Sequence, residues 1–103
     1  MTTLGAFAPT PDGGFRGAIR TLTLDLPTVE LRPLEATGPK APDFRVTSDG
    51  VELGAAWRKA MRGGDTYLLV ALDDPALPAP IYARLLGTGD ERRLVWTRPR
   101  PIN

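Results

Sequence analysis

The sequence contains no cysteine and no histidine. Without cysteine there is no disulfide framework, no thiolate nucleophile and no cysteine metal site, a composition that suits a reducing compartment. Without histidine the commonest general base and the commonest transition-metal ligand are missing. Long hydrophobic runs are absent as well: no stretch approaches the roughly 20 apolar residues of a membrane-spanning helix. The opening MTTLGAFAPT has neither the basic segment nor the apolar run of a signal peptide. The expectation is a cytoplasmic protein with no membrane partner. An excess of one charge is also missing, since 13 Lys and Arg face 12 Asp and Glu for a net charge of +1. That argues against the bulk positive field of a generic nucleic-acid coat.

What the chain does have is turn chemistry and short extended runs. A length of 103 residues with 11 Gly and 11 Pro fits one small domain rather than two. A strand is expected at Leu4 to Phe7, followed by the Pro9–Gly14 loop. Phe15 to Leu26 reads as one long strand, with Leu22, Leu24 and Leu26 alternating against Thr21, Thr23 and Asp25. The buried parity of Phe15 and Ile19 is opposite to that of the leucines, so a bulge or bend is expected at Gly17. Val29 to Leu34, bounded by Pro27 and Pro33, reads as an edge strand.

The stretch Asp43 to Leu86 carries the clearest pattern. Phe44 and Val46 lead into Asp49-Gly50, a strong hairpin signal. Val51, Leu53, Ala55 and Trp57 then alternate with Glu52, Gly54, Ala56 and Arg58, which predicts Trp57 in the core with the other three. Thr66 to Leu72 is apolar on both faces and reads as a central strand, with Leu69 and Leu72 buried on opposite sides. Ile81 to Leu86 and Arg93 to Thr97 complete the set, and the one candidate helical turn is Ala55 to Met61. The predicted fold is all-β: a small antiparallel barrel or curled sheet, of which an oligonucleotide-binding barrel is one form. The domain is placed at 1–97, with 98–103 as an extended or disordered Arg-Pro tail.

Catalytic chemistry finds little support. Asp73-Asp74 is the one adjacent carboxylate pair in this stretch, and followed by Pro75 it reads as a capped turn rather than a metal site. Ser48 has no histidine to activate it, and neither Gly13-Gly14 nor Gly63-Gly64 has the context of a phosphate loop. The chain is read as non-enzymatic, without metal or cofactor. What remains is arginine beside aromatic rings. Of the 13 cations, all but Lys40 and Lys59 are Arg, the planar type that forks onto phosphate and stacks on bases. Tyr82 and Arg84 share one face of their strand, while Ile81, Ala83 and Leu85 fill the other. The expected site is one exposed face holding Tyr82, Arg84, Arg58 and Lys59, with Arg98 and Arg100 of the tail reaching it.

Several segments together resemble the bacterial family known as domain of unknown function 736. They are Ile19-Arg20-Thr21-Leu22-Thr23-Leu24, Ala41-Pro42-Asp43-Phe44-Arg45-Val46, Glu52-Leu53-Gly54-Ala55-Ala56-Trp57-Arg58-Lys59, Tyr67-Leu68 leading to Leu72-Asp73-Asp74-Pro75, and Ala79-Pro80-Ile81-Tyr82-Ala83. The resemblance spans roughly residues 4–97, outside which the Arg-Pro tail falls. It implies a small protein carried on plasmids or integrative elements near conjugation genes, and it supplies no catalytic residues. Two functions stay open at this point. One is an accessory protein of mobile DNA that binds single-stranded nucleic acid through an aromatic and arginine face. The other is a protein–protein interaction module acting on conjugation or defence machinery, with Val29–Leu34 accepting a partner strand. Oligomeric state is not legible.

Overall fold

The computed structural model describes residues 2–22, 24–35, 38–75 and 77–96. The expected tail at 98–103, with Arg98 and Arg100, lies outside the described residues. Eight strands follow one another: β1 (Thr2–Pro9), β2 (Phe15–Arg20), β3 (Asp25–Pro33), β4 (Phe44–Ser48), β5 (Val51–Ala60), β6 (Thr66–Leu72), β7 (Ile81–Thr88) and β8 (Glu91–Trp96). Each pairs antiparallel with its sequence neighbours, and β8 pairs with β1 to close the barrel. The all-β barrel expected from the sequence is what forms. Its up-and-down order differs from the Greek-key order of an oligonucleotide-binding barrel.

Three local readings change. Phe15 to Leu26 is two strands, not one, because the chain reverses at 21–24. The Thr21 N–H donates to the Leu24 carbonyl at 2.7 Å, and the Leu24 N–H donates to Thr21 Oγ1 at 3.1 Å. Of the alternating leucines, Leu22 and Leu24 lie on that turn and Leu26 on β3, and Leu22 is fully exposed. Val29–Leu34 is not an edge, since β3 is paired on both sides by β2 and β4. The candidate helical turn at 55–61 is strand through Ala60. No helix among the described residues is long and apolar enough to cross a membrane.

Closure of so small a barrel needs sharp bends. Register shifts fall at Thr3/Gly5, at Gly17/Ile19 and where Val46 and Thr47 face Gly54 and Glu52. Each has a glycine beside it, and the sequence pattern predicts the one at Gly17. A Cβ on Gly54 would lie 1.8 Å from the Ala71 carbonyl oxygen, and one on Gly5 equally close to that of Ala18. Glycine lets the backbones touch there, which is how a bulge re-aims a strand at a barrel corner.

Side chains fill the interior, as expected for eight strands. Phe44, Ile19, Leu72, Leu94, Val29, Val46 and Val70 are the largest fully buried ones. On β6 only Leu68, Val70 and Leu72 are buried, whereas Leu69 is half-buried on the outside. The strand is thus central without being buried on both faces. One mouth of the barrel, at the end of loops 10–14, 34–43, 61–65 and 89–90, is closed by a row of guanidinium and phenyl groups. The Arg92 guanidinium lies 5.2 Å from the Phe15 ring centre, Phe15 is 5.9 Å from Phe44, and Arg58 lies 5.2 Å from Phe44. Within loop 10–14, Asp12 accepts from the Thr10 hydroxyl and from the Gly14 N–H, and these bonds hold its carboxyl below the usual carboxylate range.

Candidate functional site on the outer face of β5, β6 and β7

Period-2 alternation sorts the three strands into an inner and an outer set. Ala56, Leu68, Val70, Leu72, Ala83 and Leu85 point into the core, so their alternating neighbours face out. Register then aligns the outer set in rows. Ala55, Ala71 and Tyr82 form one row, and Trp57, Leu69 and Arg84 the next. Lys59 faces Tyr67 in a third. With strands about 4.8 Å apart and the two rows about 7 Å apart, Trp57 and Tyr82 stand diagonally, about 12 Å from each other across the sheet.

The small residues Gly54, Ala55 and Ala71 leave a floor between these rings. A groove of about 440 Å³ runs over it, flanked by Trp57, Tyr82 and Pro80, with Glu52 and Asp73 at one end. Tyr82 is 60% exposed, so its ring is open to a stacking partner. Arg84 is exposed and lies over the Tyr67 ring at 5.4 Å. A cation over a ring face is held electrostatically and keeps N–H donors for a phosphate. Trp57 is anchored at its polar end, where Nε1 donates to the Lys40 carbonyl at 3.2 Å. Charge is graded along the face: Lys59 and Arg84 lie toward the 61–65 loop, Glu52 and Asp73 toward the 73–80 loop. Glu52 also pairs with Arg45 at 3.2 Å.

Of the expected site residues, the fold brings together Tyr82, Arg84 and Lys59. Arg58 does not join them. Consecutive strand residues point to opposite faces, and Arg58 turns to the mouth, over the Phe44 ring, while its N–H donates to Asp43 Oδ2 at 2.8 Å. Arg98 and Arg100 lie outside the described residues. Trp57 is not in the core, as the sequence pattern predicted, but half-buried on the outer face. The bulge opposite Val46 and Thr47 shifts the phase of β5, so Ala56 points inward and Trp57 outward. Trp57 and Tyr67 are the site residues that sequence reasoning left out, and the parity of Leu68, Val70 and Leu72 was enough to find Tyr67. Asp74 opens a turn, with the Leu77 N–H donating to its carbonyl at 2.8 Å, while the Asp73 N–H donates to the Leu53 carbonyl at 2.7 Å.

A sequence model of the family described as "Protein of unknown function (DUF736)" matches residues 3–99. No curated protein and no solved structure matches the chain.

Proposed function

We propose that this chain, which belongs to the DUF736 family, binds single-stranded nucleic acid on the outer face of β5, β6 and β7. It would serve as a non-enzymatic accessory protein of mobile DNA, the setting that the family resemblance implies. The reading rests on one observation: exposed Tyr82 stands in register with a small-residue floor beside Trp57, and Arg84 and Lys59 share that face. Aromatic platforms beside cations hold single strands because every base has a π face and every linkage a phosphate. Tyr82 stacks a base, Trp57 bounds the groove, and Arg84 and Lys59 hold phosphates. Duplex DNA, whose bases are already stacked, gains nothing from the rings. The near-zero net charge fits the local capture of a few phosphates rather than a long basic track.

The alternative, a protein-binding module, loses one of its supports, because β3 offers no free edge, and keeps the near-neutral charge. The test is a titration of fluorescent single-stranded and duplex oligonucleotides at several salt concentrations. The Y82A/R84A variant is expected to bind single strands on the order of 10- to 100-fold more weakly, from about 1–3 kcal/mol of stacking per base. Its logarithmic salt slope should fall by about 0.7, because one phosphate fewer is neutralised. Both side chains are exposed, so the melting temperature should stay within a few degrees of the parent. Equal binding by variant and parent would move the site elsewhere. A parent that binds no oligonucleotide at low salt would overturn the reading in favour of a protein partner.

A further inference from the structure

The groove on the outer face carries opposite charge at its two ends, and Tyr82 stands between them. Arg84 lies two residues beyond Tyr82 on β7, about 7 Å along the same face. Asp73 lies on the other side. It follows buried Leu72, so it faces outward and lines the groove with Glu52, Pro80 and Tyr82. Ala71 is the register partner of Tyr82. Asp73 is therefore one strand over and two residues along from Tyr82, about 8 Å between backbones. This end of the groove opens toward the second mouth of the barrel, opposite the row of Phe15 and Phe44.

The two carboxylates at that end are held differently. Glu52 pairs with Arg45 at 3.2 Å. Asp73 is exposed, and no bond from another described residue engages its carboxylate. Its N–H donates to the Leu53 carbonyl, and the turn after it closes between the Leu77 N–H and the Asp74 carbonyl. Backbone groups build that turn, and the Asp73 oxygens are left to the groove. They repel a phosphate, whereas Arg84 attracts one. A nucleotide has the matching polarity, with phosphate at one end and the Watson–Crick edge of its base at the other. When the base lies on Tyr82 and the phosphate at Arg84, that edge points toward Asp73.

A carboxylate only accepts hydrogen bonds, through two oxygens side by side. Guanine is the base whose Watson–Crick edge sets two donors side by side, N1–H and the N2 amino group. Adenine and cytosine offer one amino donor beside a ring nitrogen that accepts. Thymine and uracil hold N3–H between two carbonyl oxygens. Each of these four brings an acceptor against a carboxylate oxygen. In a duplex the guanine edge is already paired, so it can be read only in a single strand.

We propose that the groove selects guanine, with Asp73 accepting from N1–H and N2–H of a base stacked on Tyr82. This rests on the single-strand reading of the same face and names the base that the face prefers. The experiment is fluorescence anisotropy of the full chain at low salt with thymine oligomers of about 12 nucleotides, within the span one small barrel covers. The central position carries thymine, adenine, guanine or hypoxanthine. Guanine is expected to tighten binding about 5- to 20-fold over thymine, the lower part of what a bidentate base contact discriminates, because the site is open to water. Hypoxanthine keeps the purine ring but lacks the N2 amino group, and should lose most of that gain, as should adenine. Asp73→Asn exchanges one acceptor oxygen for a donor. It should abolish the guanine preference while binding the all-thymine oligomer as well as the parent does, with an unchanged melting temperature.

If the parent binds every oligomer alike, the guanine proposal fails and the single-strand reading stands. If it binds none of them, the single-strand reading itself fails. A preference that hypoxanthine shares with guanine would come from stacking, and one that survives in folded D73N would come from another residue; either result overturns the proposal. The hypoxanthine comparison uses the parent chain alone, so it decides the matter even if D73N does not fold.

Discussion

Replacing Gly54 by alanine is expected to destabilise the barrel by about 3 kcal/mol, the upper end of what overpacking usually costs. The reason is where the added methyl would go. A Cβ at Gly54 would meet the Ala71 carbonyl oxygen at 1.8 Å and the Ala71 carbonyl carbon at 2.9 Å. Both are backbone atoms of the paired strand, so no rotamer change relieves the clash; β5 and β6 must separate where they hydrogen-bond. The bulge at Leu53, next to Gly54, bends β5 just there, and the bend helps the sheet to close. For a domain of this size the loss corresponds to a fall in melting temperature of about 12–24 °C. Gly38→Ala is the control: its Cβ would meet nothing within 4 Å, and the melting temperature should hold or rise slightly, because alanine restricts the unfolded chain. Equal melting of G54A and G38A would mean that β5 and β6 do not touch as described.

Phe44→Ala should cost about 3–5 kcal/mol. Phe44 is the largest of the fully buried side chains, 1% exposed. It is also the middle of the row that closes the first mouth, with Phe15 at 5.9 Å on one side and Arg58 at 5.2 Å on the other. Truncation therefore leaves a cavity at the barrel end and removes the ring beneath a guanidinium. Arg58→Gln removes only the cation, an interaction worth about 0.5–1 kcal/mol at an exposed site. The two variants should thus differ several-fold in effect when denaturant midpoints are compared. Similar midpoints would show that the mouth is not closed by the phenyl rings.

Much of this architecture was legible in the amino-acid order. The Asp49-Gly50 pair marks its hairpin, and both residues adopt positive φ, 50° and 80°, as the tight turn demands. Ile81, Ala83 and Leu85 against Tyr82 and Arg84 sort β7 without ambiguity. The errors have physical causes. Leu22, Leu24 and Leu26 alternate like a strand, but a turn closed by Thr21 spaces them the same way. Gly54, Ala55 and Ala56 carry almost no side-chain contrast, so a bulge there shifts the phase of β5 without a trace in hydropathy. That hid Trp57 from the outer face. The separation of Arg58 from Lys59 follows from period 2 alone and was readable. Closure was not, because pairing of β1 with β8 joins residues such as Thr2 and Trp96 that no local pattern relates.

The proposed function puts a single strand in the groove between Trp57 and Tyr82. Trp57 reports on it directly, because the chain has 2 tryptophans and the other, Trp96, lies at the second mouth. A Trp96→Phe variant leaves Trp57 as the sole indole emitter. Titrating this variant with a single-stranded oligonucleotide at low salt is the most direct measurement. Saturable quenching of Trp57 emission is expected, as bases stack beside the ring. The quenching should reverse as salt rises through counterion uptake and should disappear when Tyr82→Ala is added. Emission that stays unchanged across the low-salt titration would contradict it.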